Sequence, residues 1–323
     1  MKFDLEDRRG KKISKHWLDN IRFQISRKLS YFLLYHRFKY SSYLRDKICK
    51  RLLPPPKGPV VCPHFHDIEL LVDPIKGKGL EKDIYYFGVY EAGTIFVLKR
   101  FLHKGSVFFD VGANIGSISC TVARFVGESG HVYAFEPHPE TYKILEYNIR
   151  INNLNNVTTF NVALGSKISK GKIYDKLDMN RGAATLLRSR NVREEEGYEI
   201  EITTIDSLIE NGLLPPPTLI KIDVEGFELE VLKGAEKLLR SDQAPMLCIE
   251  YSTLLHQYGG NTFDIYKFIK SVNGYSCYKF RYNKEVPCQL MRISGKNDLP
   301  HHDNIFCFLD KHLHDLHRIG VFR

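Results

Sequence analysis

The segment Ser106–Gly116, SVFFDVGANIG, decides the fold, because it reads as a buried strand, a glycine turn and the start of a helix. Val107, Phe108 and Phe109 form an apolar run that is too short for a helix and stops at Gly112. Glycines let a backbone approach a ligand closely, and the first N–H groups of a helix have no partner within it. The segment therefore predicts a binding turn for a small anionic or polar cofactor.

A second strand, His131–Phe135, ends at Glu136, which follows Gly116 at the spacing of a ribose-binding acid. In dinucleotide-type α/β folds such a carboxylate accepts hydrogen bonds from ribose hydroxyls. The turn itself differs from the G-x-G-x-x-G pattern of nicotinamide enzymes, because Asn114 holds the middle position and the third glycine comes one residue early. The turn is similar to the D/E-x-G-x-(G/N)-x-G turn of class I S-adenosylmethionine-dependent methyltransferases.

Composition and charge indicate an ordinary globular protein with a basic N-terminal arm. The chain has 323 residues, 43% hydrophobic and 26% charged. Its seven cysteines are odd in number and include no C-x-x-C pair, which predicts a reducing compartment, the cytoplasm, and no zinc site. Residues 1–51 carry 15 Lys and Arg against 5 Asp and Glu, so the rest of the chain is nearly neutral. A neutral body gives no support for a nucleic-acid-binding enzyme, so we predict no nucleic-acid partner.

We predict three parts: a basic amphipathic helical arm with a Pro-rich linker (1–57), a small β-hairpin and helix lead-in (58–105), and the main domain (106–323). Apolar residues recur at helical spacing from Trp17 onward. No apolar run is long enough to cross a bilayer, and no signal-peptide pattern is present. The arm either contacts a membrane surface peripherally through residues 1–51 or packs its apolar stripe on the domain.

Alternating strands and helices predict a mostly parallel sheet covered on both faces. Strands are expected at 68–73, 83–87, 131–135, 157–162, 219–222 and 246–249, helices at 94–102, 116–125, 139–153, 227–239 and 263–272, and a closing antiparallel pair at 275–280 and 305–309. Between 165 and 205 the pattern breaks into shorter strand-like pieces.

Acidic residues follow most of the predicted parallel strands. Open α/β sheets bind ligands at the carboxyl ends of their strands, next to the point where the strand order reverses. The candidate positions are Asp110, Glu136, Ala163, Asp223 with Glu225, and Glu250, to which we add Glu91 beside the first long helix. Each acid alone could cap a helix or lie in solvent, but their joint placement indicates one site.

An adenosyl cofactor assigns roles to these residues. Glu136 would accept hydrogen bonds from the ribose, Asp110 would accept from the methionine ammonium, and the helix N-terminus beyond Gly116 would receive the carboxylate. A hydroxyl acceptor also needs a base, for which Asp223, Glu225 and Glu250 are the candidates.

From about Tyr90 to Tyr251 the chain resembles the FkbM family of class I methyltransferases. The resemblance rests on YEAGT at 90–94, FDVGANIG at 109–116, AFEP at 134–137, NVALG at 161–165, the 182–186 stretch and KIDVEGFE at 221–228. It implies an S-adenosylmethionine-dependent enzyme that O-methylates sugars, polyketides or other small natural products. The implied cofactor-binding residues are Asp110, Gly112, Asn114, Gly116 and Glu136, and the implied acids after the fourth strand are Asp223 and Glu225.

Histidines in H-x-H and H-x-H-x-x-H arrangements, at 64–66 and 312–317, lack the spacing that puts two ligands on one helical turn, so we predict no metal site. His256 is a weaker candidate base.

We therefore predict a doubly wound, Rossmann-like α/β fold of the class I methyltransferase type, with a mostly parallel seven-stranded sheet and an antiparallel last strand. The predicted cofactor is S-adenosylmethionine, and the predicted acceptor is a hydroxyl of a saccharide, a cell-surface glycan or glycolipid, or a similar small molecule. Two alternatives are a nicotinamide-dependent oxidoreductase on the same sheet and a non-catalytic cofactor-binding module.

Overall fold

A computed structural model of the chain describes residues 21–36, 40–64, 66–174, 197–253 and 261–313. The helices are α1 (Ile21–Tyr35), α2 (Ser41–Leu52), α3 (Leu80–Phe87), α4 (Ala92–Phe101), α5 (Ser117–Val126), α6 (Pro139–Ile151), α7 (Ile205–Glu210), α8 (Glu228–Lys233), α9 (Glu236–Arg240), α10 (Phe263–Val272) and α11 (Asp310–Leu313). The strands are β1 (Val60–His64), β2 (Ile68–Val72), β3 (Val107–Val111), β4 (His131–Phe135), β5 (Val157–Phe160), β6 (Ala163–Leu164), β7 (Ser169–Tyr174), β8 (Gly197–Thr203), β9 (Leu219–Ile222), β10 (Met246–Ser252), β11 (Ser276–Phe280), β12 (Leu290–Arg292) and β13 (His302–Phe308).

The central sheet has the strand order β12-β11-β13-β10-β9-β3-β4-β5. The five strands from β10 to β5 are parallel, and β13 pairs antiparallel with β10. From β3 the chain winds outward through β4 and β5 and then returns to β9 on the other side of β3. The strand order therefore reverses between β3 and β9, which is where such sheets bind ligands.

The predicted α/β fold is confirmed, including the antiparallel pairing of β11 with β13. The expected seven strands are wrong by one: β12 pairs with β11 and extends the sheet to eight. The strands predicted at 68–73 and 131–135 are confirmed within one residue, and that at 219–222 is reproduced. The strand expected at 157–162 ends at Phe160, and Ala163 belongs to a separate three-stranded sheet, β6-β8-β7.

The strand expected at 83–87 is wrong, because these residues form the end of α3. Ile84 and Tyr85 are adjacent and both buried, a pattern that fits a helix as well as a buried strand. Gly88 ends the helix in the left-handed conformation with φ 74°. The hairpin partner of β2 is therefore not the segment 83–87. It is β1, which precedes β2 and pairs with it antiparallel.

Two further boundaries differ. The helix expected over 227–239 is divided into α8 and α9 at Gly234, where a side chain would overlap the carbonyl of Gly165. The strand expected to end at Ile249 continues to Ser252, because β13 pairs with it as far as His302. Glu250 therefore lies within β10 and not after it.

The helical arm packs on α3. Arg27 is buried and its Nη2 donates to the carbonyl oxygens of Ile84 and Tyr85 at 2.6 Å each. Ser30 Oγ donates to the carbonyl oxygen of Phe87 at 2.9 Å. These contacts favour the packing alternative for the described part of the arm, whereas Trp17 lies outside the described residues. In the part of the chain described, no helix is both long and apolar enough to span a bilayer.

The β1–β2 hairpin is held to α6 by side-chain amides. The backbone N–H of Leu71 donates to Asn148 Oδ1 at 2.7 Å, and that of Glu69 donates to Asn152 Oδ1 at 2.8 Å. Asn148 Nδ2 also donates to the carbonyl oxygen of Ile115, at 2.8 Å, just before α5 begins. The hairpin, α6 and the turn after β3 are thus connected through one buried side chain.

Gly112 permits the closest backbone approach in the turn after β3. Its φ is 82°, and a Cβ at this position would overlap the carbonyl oxygen of Asp223, just after β9. Its N–H donates to the carbonyl oxygen of Phe135 at 3.0 Å. Glycine is therefore required both by conformation and by space.

We predict that Gly112→Ala destabilises the protein by about 3 kcal/mol or more, because strain at positive φ adds to a backbone clash. Chemical denaturation measures this. The matched control is Gly212→Ala, where φ is 67° and no atom lies within 4 Å of the added Cβ. The control should cost about 1 kcal/mol; equal losses for both variants would contradict the assigned clash.

Candidate active site

A cleft of about 1030 Å³, open solvent included, lies at the carboxyl ends of β3, β4, β9 and β10. Nine of the ten predicted site residues line it: Glu91, Asp110, Gly112, Asn114, Glu136, Ala163, Asp223, Glu225 and Glu250. Gly116 is not part of the lining; its φ is 88° and a side chain there would press on Leu145.

Glu136 closes the turn from its second strand. Its Oε2 accepts the N–H of Asn114 and its Oε1 accepts the N–H of His138, both at 2.9 Å. Burial raises the pKa of Glu136 to about 7, although these two backbone donors oppose the shift. A carboxylate oxygen can accept more than one hydrogen bond, so both oxygens can still accept from hydroxyls of a ligand.

Asp110 presents an unused acceptor to the same cleft. Its Oδ2 accepts from Ser119 Oγ, whereas its Oδ1 is buried and has no hydrogen-bond partner among the described residues. Burial raises the pKa of Asp110, and the nearby Lys221 opposes this shift. A buried acceptor without a partner costs free energy, which a cationic donor from a ligand would recover. The position fits the ammonium group of a methionine moiety.

The turn that separates these acids is conformationally unusual. Asn114 has φ 52°, a left-handed conformation that Asn tolerates better than most residues, and its Oδ1 accepts the N–H of Ile115 at 2.7 Å. The conformation directs the backbone N–H of Asn114 at Glu136. Turn and acid thus hold each other in place. The residues present fit S-adenosylmethionine: Glu136 would hold the ribose and Asp110 the ammonium.

Buried ion pairs form the other side of the cleft. Lys221 Nζ lies 2.8 Å from Asp223 Oδ2. Lys284 Nζ lies 2.9 Å from Glu91 Oε1 and 3.0 Å from Glu250 Oε1. Lys221, Lys284, Glu91 and Glu250 are all buried, so each charge depends on its partners and little on water.

These pairs shift the pKa values of two neighbouring acids in opposite directions. Burial would raise the pKa of Asp223, but Lys221, Lys284 and hydrogen bonds from Lys221 and Glu250 outweigh it and lower the pKa to about 2. Burial and the charge of Asp223 raise the pKa of Glu250 well above its usual value, although Lys284 opposes this. Two adjacent acids therefore share their protons unequally, an arrangement typical of catalytic carboxyl pairs.

Glu225 lies beside this pair in a tight loop. It has φ 52°, and the loop is held by Glu228, whose Oε1 accepts the N–H groups of Val224 and Gly226 at 3.2 and 2.9 Å. One oxygen each of Asp223, Glu225 and Glu250 lies within 4.8 Å of the others. Since Lys221 and Lys284 already supply positive charge here, we assign no metal ion.

Three lining or supporting residues were missed from the sequence: Tyr90, Lys221 and Lys284. Lys221 could have been found, because a lysine within a buried parallel strand is unusual and requires an acidic partner. Lys284 lies in the loop after β11. Its carbonyl oxygen accepts the N–H of Gly93 at 2.8 Å, and no local sequence pattern predicts that contact. Tyr90 lines the cleft next to Glu91.

Those histidines of the two clusters that the structure describes, His64, His66 and His312, do not line this cleft. His64 is buried and its Nε2 lies 3.0 Å from Ser117 Oγ, while the ring of His66 packs edge-on against Phe125. His312 Nδ1 accepts the N–H of Leu309 at 3.1 Å. His256 and the rest of the C-terminal cluster lie outside the described residues.

Five parallel strands followed by an antiparallel strand, with an acid-lined cleft at the point of strand reversal, define the class I S-adenosylmethionine-dependent methyltransferases. A family model, the methyltransferase FkbM domain, matches residues 110–277. The chain belongs to the FkbM methyltransferase family. Membership confirms the resemblance seen in the sequence and S-adenosylmethionine as the cofactor.

Curated relatives agree with this assignment. The chain is 33% identical over 151 residues to the hexuronic acid methyltransferase AglP of Haloferax volcanii, covering 47% of this chain and 59% of that protein. It is 27% identical over 195 residues to the methyltransferase sdnD of Sordaria araneosa, covering 51% and 71%. The match thus spans about three fifths of the length of AglP.

Among solved structures, the O-methyltransferase from Bacillus cereus is similar with a TM-score of 0.42 and 15% identity, covering 68% of this chain and 81% of that chain. A SAM-dependent methyltransferase from Aquifex aeolicus gives 0.37 and 15%, covering 65% and 86%. The fold assignment here rests on strand order and on the family match.

We predict that Glu136→Ala weakens S-adenosylmethionine binding at least about tenfold, because hydrogen bonds to a charged group contribute about 1.5–3 kcal/mol. In the parent protein, affinity should fall as the pH drops below about 7, since protonation of Glu136 removes acceptor capacity. Isothermal titration calorimetry between pH 5.5 and 7.5 measures both effects.

Glu128→Ala is the control for this experiment, because Glu128 is exposed between α5 and β4 and does not line the cleft. Its affinity should equal that of the parent. Unchanged binding by Glu136→Ala would remove Glu136 from the cofactor site.

Proposed function

We propose that this protein transfers a methyl group from S-adenosylmethionine to a hydroxyl group of a saccharide. When bound, the cofactor supplies an activated methyl group, so the protein must mainly align the acceptor and accept its proton. The Asp223–Glu250 pair carries the proposal. Glu250 has a raised pKa and Asp223 a lowered one, and both line the cleft that contains Asp110 and Glu136.

The charge of the cleft favours a neutral acceptor over an anionic one. Six acids line it, namely Glu91, Asp110, Glu136, Asp223, Glu225 and Glu250, and two lysines, Lys221 and Lys284, neutralise them only in part. A carboxylate acceptor would be repelled by this excess and would need no base. A hydroxyl acceptor suffers no such repulsion and requires one.

The saccharide class is supported by the relative that is named for a hexuronic acid. A glycan or glycolipid would present both hydroxyl groups and, in uronic acids, carboxylates. The position of the methyl group on such a sugar therefore separates the two chemistries. Transfer to a hydroxyl gives an ether and transfer to a carboxylate gives an ester.

We expect labelled methyl groups from S-adenosylmethionine to enter a glycan or glycolipid fraction of the source cell and to resist mild alkali, as an ether does. Glu250→Gln should lower transfer by about a hundredfold or more, the range for loss of a general base, while calorimetry shows cofactor binding retained. Glu146→Gln, on α6 and outside the cleft lining, is the control.

Other outcomes are equally informative. Alkali-labile label would show an ester and contradict the hydroxyl acceptor. Cofactor binding with no transfer into any lipid, glycan or small-molecule fraction would favour the non-catalytic module. Label confined to protein would exclude the saccharide class.

We also propose that the arm contacts an anionic membrane surface and so brings the site to a lipid-linked acceptor. Large apolar side chains remain exposed on the arm although it packs on α3: Ile25, Phe32, Tyr35, Tyr40 and Tyr43 are 45–65% exposed. Lysines Lys28, Lys47 and Lys50 are exposed on the same two helices. Aromatic groups together with basic charge are typical of helices that lie in a membrane interface.

Flotation with vesicles of phosphatidylcholine, with and without phosphatidylserine, tests this contact. The full chain should bind the anionic vesicles, and the double variant Ile25→Ser, Phe32→Ser should lose most of that binding. Leu213→Ser is the control, because Leu213 is 67% exposed on the main domain. Equal binding of all three proteins would contradict a role for the arm.

A further inference from the structure

His302 is a half-exposed residue that lies beside the buried acid pair. It is the first residue of β13 and lies opposite Ser252 of β10 in the antiparallel register, two positions from Glu250. Its Nε2 lies 3.8 Å from Glu250 Oε1, and its Nδ1 lies 3.0 Å from Ser252 Oγ. The His302 side chain is 51% exposed, whereas that of Glu250 is 6% exposed.

The chemistry of the proposed function creates a need for such a link. Methylation of a hydroxyl releases one proton, which the buried base must pass on before the next turnover. Lys284, the hydrogen-bonded neighbour of Glu250, is already protonated, because Glu91, Glu250 and Asp223 raise its pKa well above the usual value against the effect of burial. Asp223 is a poor proton acceptor with a pKa of about 2.

The imidazole of His302 has the properties that these neighbours lack. Burial and the charge of Lys284 lower the pKa of His302, and Asp223 and Glu91 oppose the shift, so the ring is neutral at pH 7. If Nδ1 donates to Ser252 Oγ, Nε2 is left as the acceptor that faces Glu250. At 3.8 Å the two atoms are not hydrogen-bonded, and a small rotation of either side chain would bring them within hydrogen-bond distance.

We propose that His302 is a positioning and relay residue, through which the proton taken up by Glu250 leaves for water. This inference rests on the proposed hydroxyl acceptor. The methyl group leaves the sulfonium, which becomes a neutral thioether, as the O–CH₃ bond forms and the acceptor O–H bond breaks. The proton moves to the Glu250 carboxylate, then to His302 Nε2, and from the imidazolium to solvent. Glu250 returns to its carboxylate form.

Several charged groups surround this path. Glu250 faces His302 from β10, Lys284 from the loop after β11, Asp223 from the end of β9 and Glu91 from the start of α4. Asp303 follows in β13 and accepts the N–H groups of Lys284 and Asn304 at 3.0 and 2.8 Å. Of the groups named here, His302 is the one that is both half-exposed and able to accept a proton in its neutral form.

The first measurement needs neither cofactor nor acceptor. Proton NMR of the free protein follows the ring C–H signals of His302 and His301 from pH 4.5 to 8, each assigned by its His→Gln variant. In Glu250→Gln the titration midpoint of His302 should move to lower pH, because an amide cannot take up the negative charge with which the carboxylate form of Glu250 favours the imidazolium, while that of the adjacent, exposed His301 should stay. An unchanged His302 midpoint would overturn the proposed coupling.

The second measurement uses the fraction that the parent enzyme labels. His302→Gln should lower the transfer rate about tenfold and change its pH profile, with cofactor affinity unchanged, whereas His301→Gln should match the parent. Added imidazole should restore the rate of His302→Ala. Parental rates in His302→Gln across the pH range would overturn the relay. Absence of transfer by the parent would instead contradict the proposed function and leave the NMR result as the separate test.

Discussion

The structure depends on holding several carboxylates out of water at one place. Asp110, Glu91 and Glu250 are buried at the carboxyl edge of the sheet, and burying a charge without a partner costs several kcal/mol. Lys221 and Lys284 make this arrangement possible, because each reaches a carboxylate within 3.0 Å. The lysines neutralise the negative charge only in part, because more acids than lysines face the cleft. The remaining negative charge favours a cationic ligand.

The fold delivers these groups from distant parts of the chain. The parallel strands β3, β9 and β10 end at one edge, so residues more than a hundred positions apart meet there. The turn after β3 fits against the loop after β9 only because Gly112 has no side chain. The same edge therefore combines the cofactor half of the site, around Asp110 and Glu136, with the half that carries Asp223 and Glu250.

Local patterns in the sequence predicted the parts of the site that local structure determines. The strand, turn and helix around Gly112 and the acids that follow the strands could be read directly, since each depends on a few neighbouring residues. Lys284 could not, because its position follows from the contact of a loop near the C-terminus with the start of α4. The residues 83–87 were assigned to a strand because a short apolar run fits either element, and packing under the arm favours the helix.

Asn148 connects the β1–β2 hairpin to the turn that forms the cofactor half of the site. Its amide bonds both Leu71 of the hairpin and Ile115 of the cofactor turn, and it has no exposure to solvent. The hairpin precedes the segment that matches the family, yet through Asn148 it supports the cofactor half of the site. A protein shortened to the family segment would lose that support and leave the side-chain amides of Asn148 and Asn152 without the hairpin backbone groups that they bind.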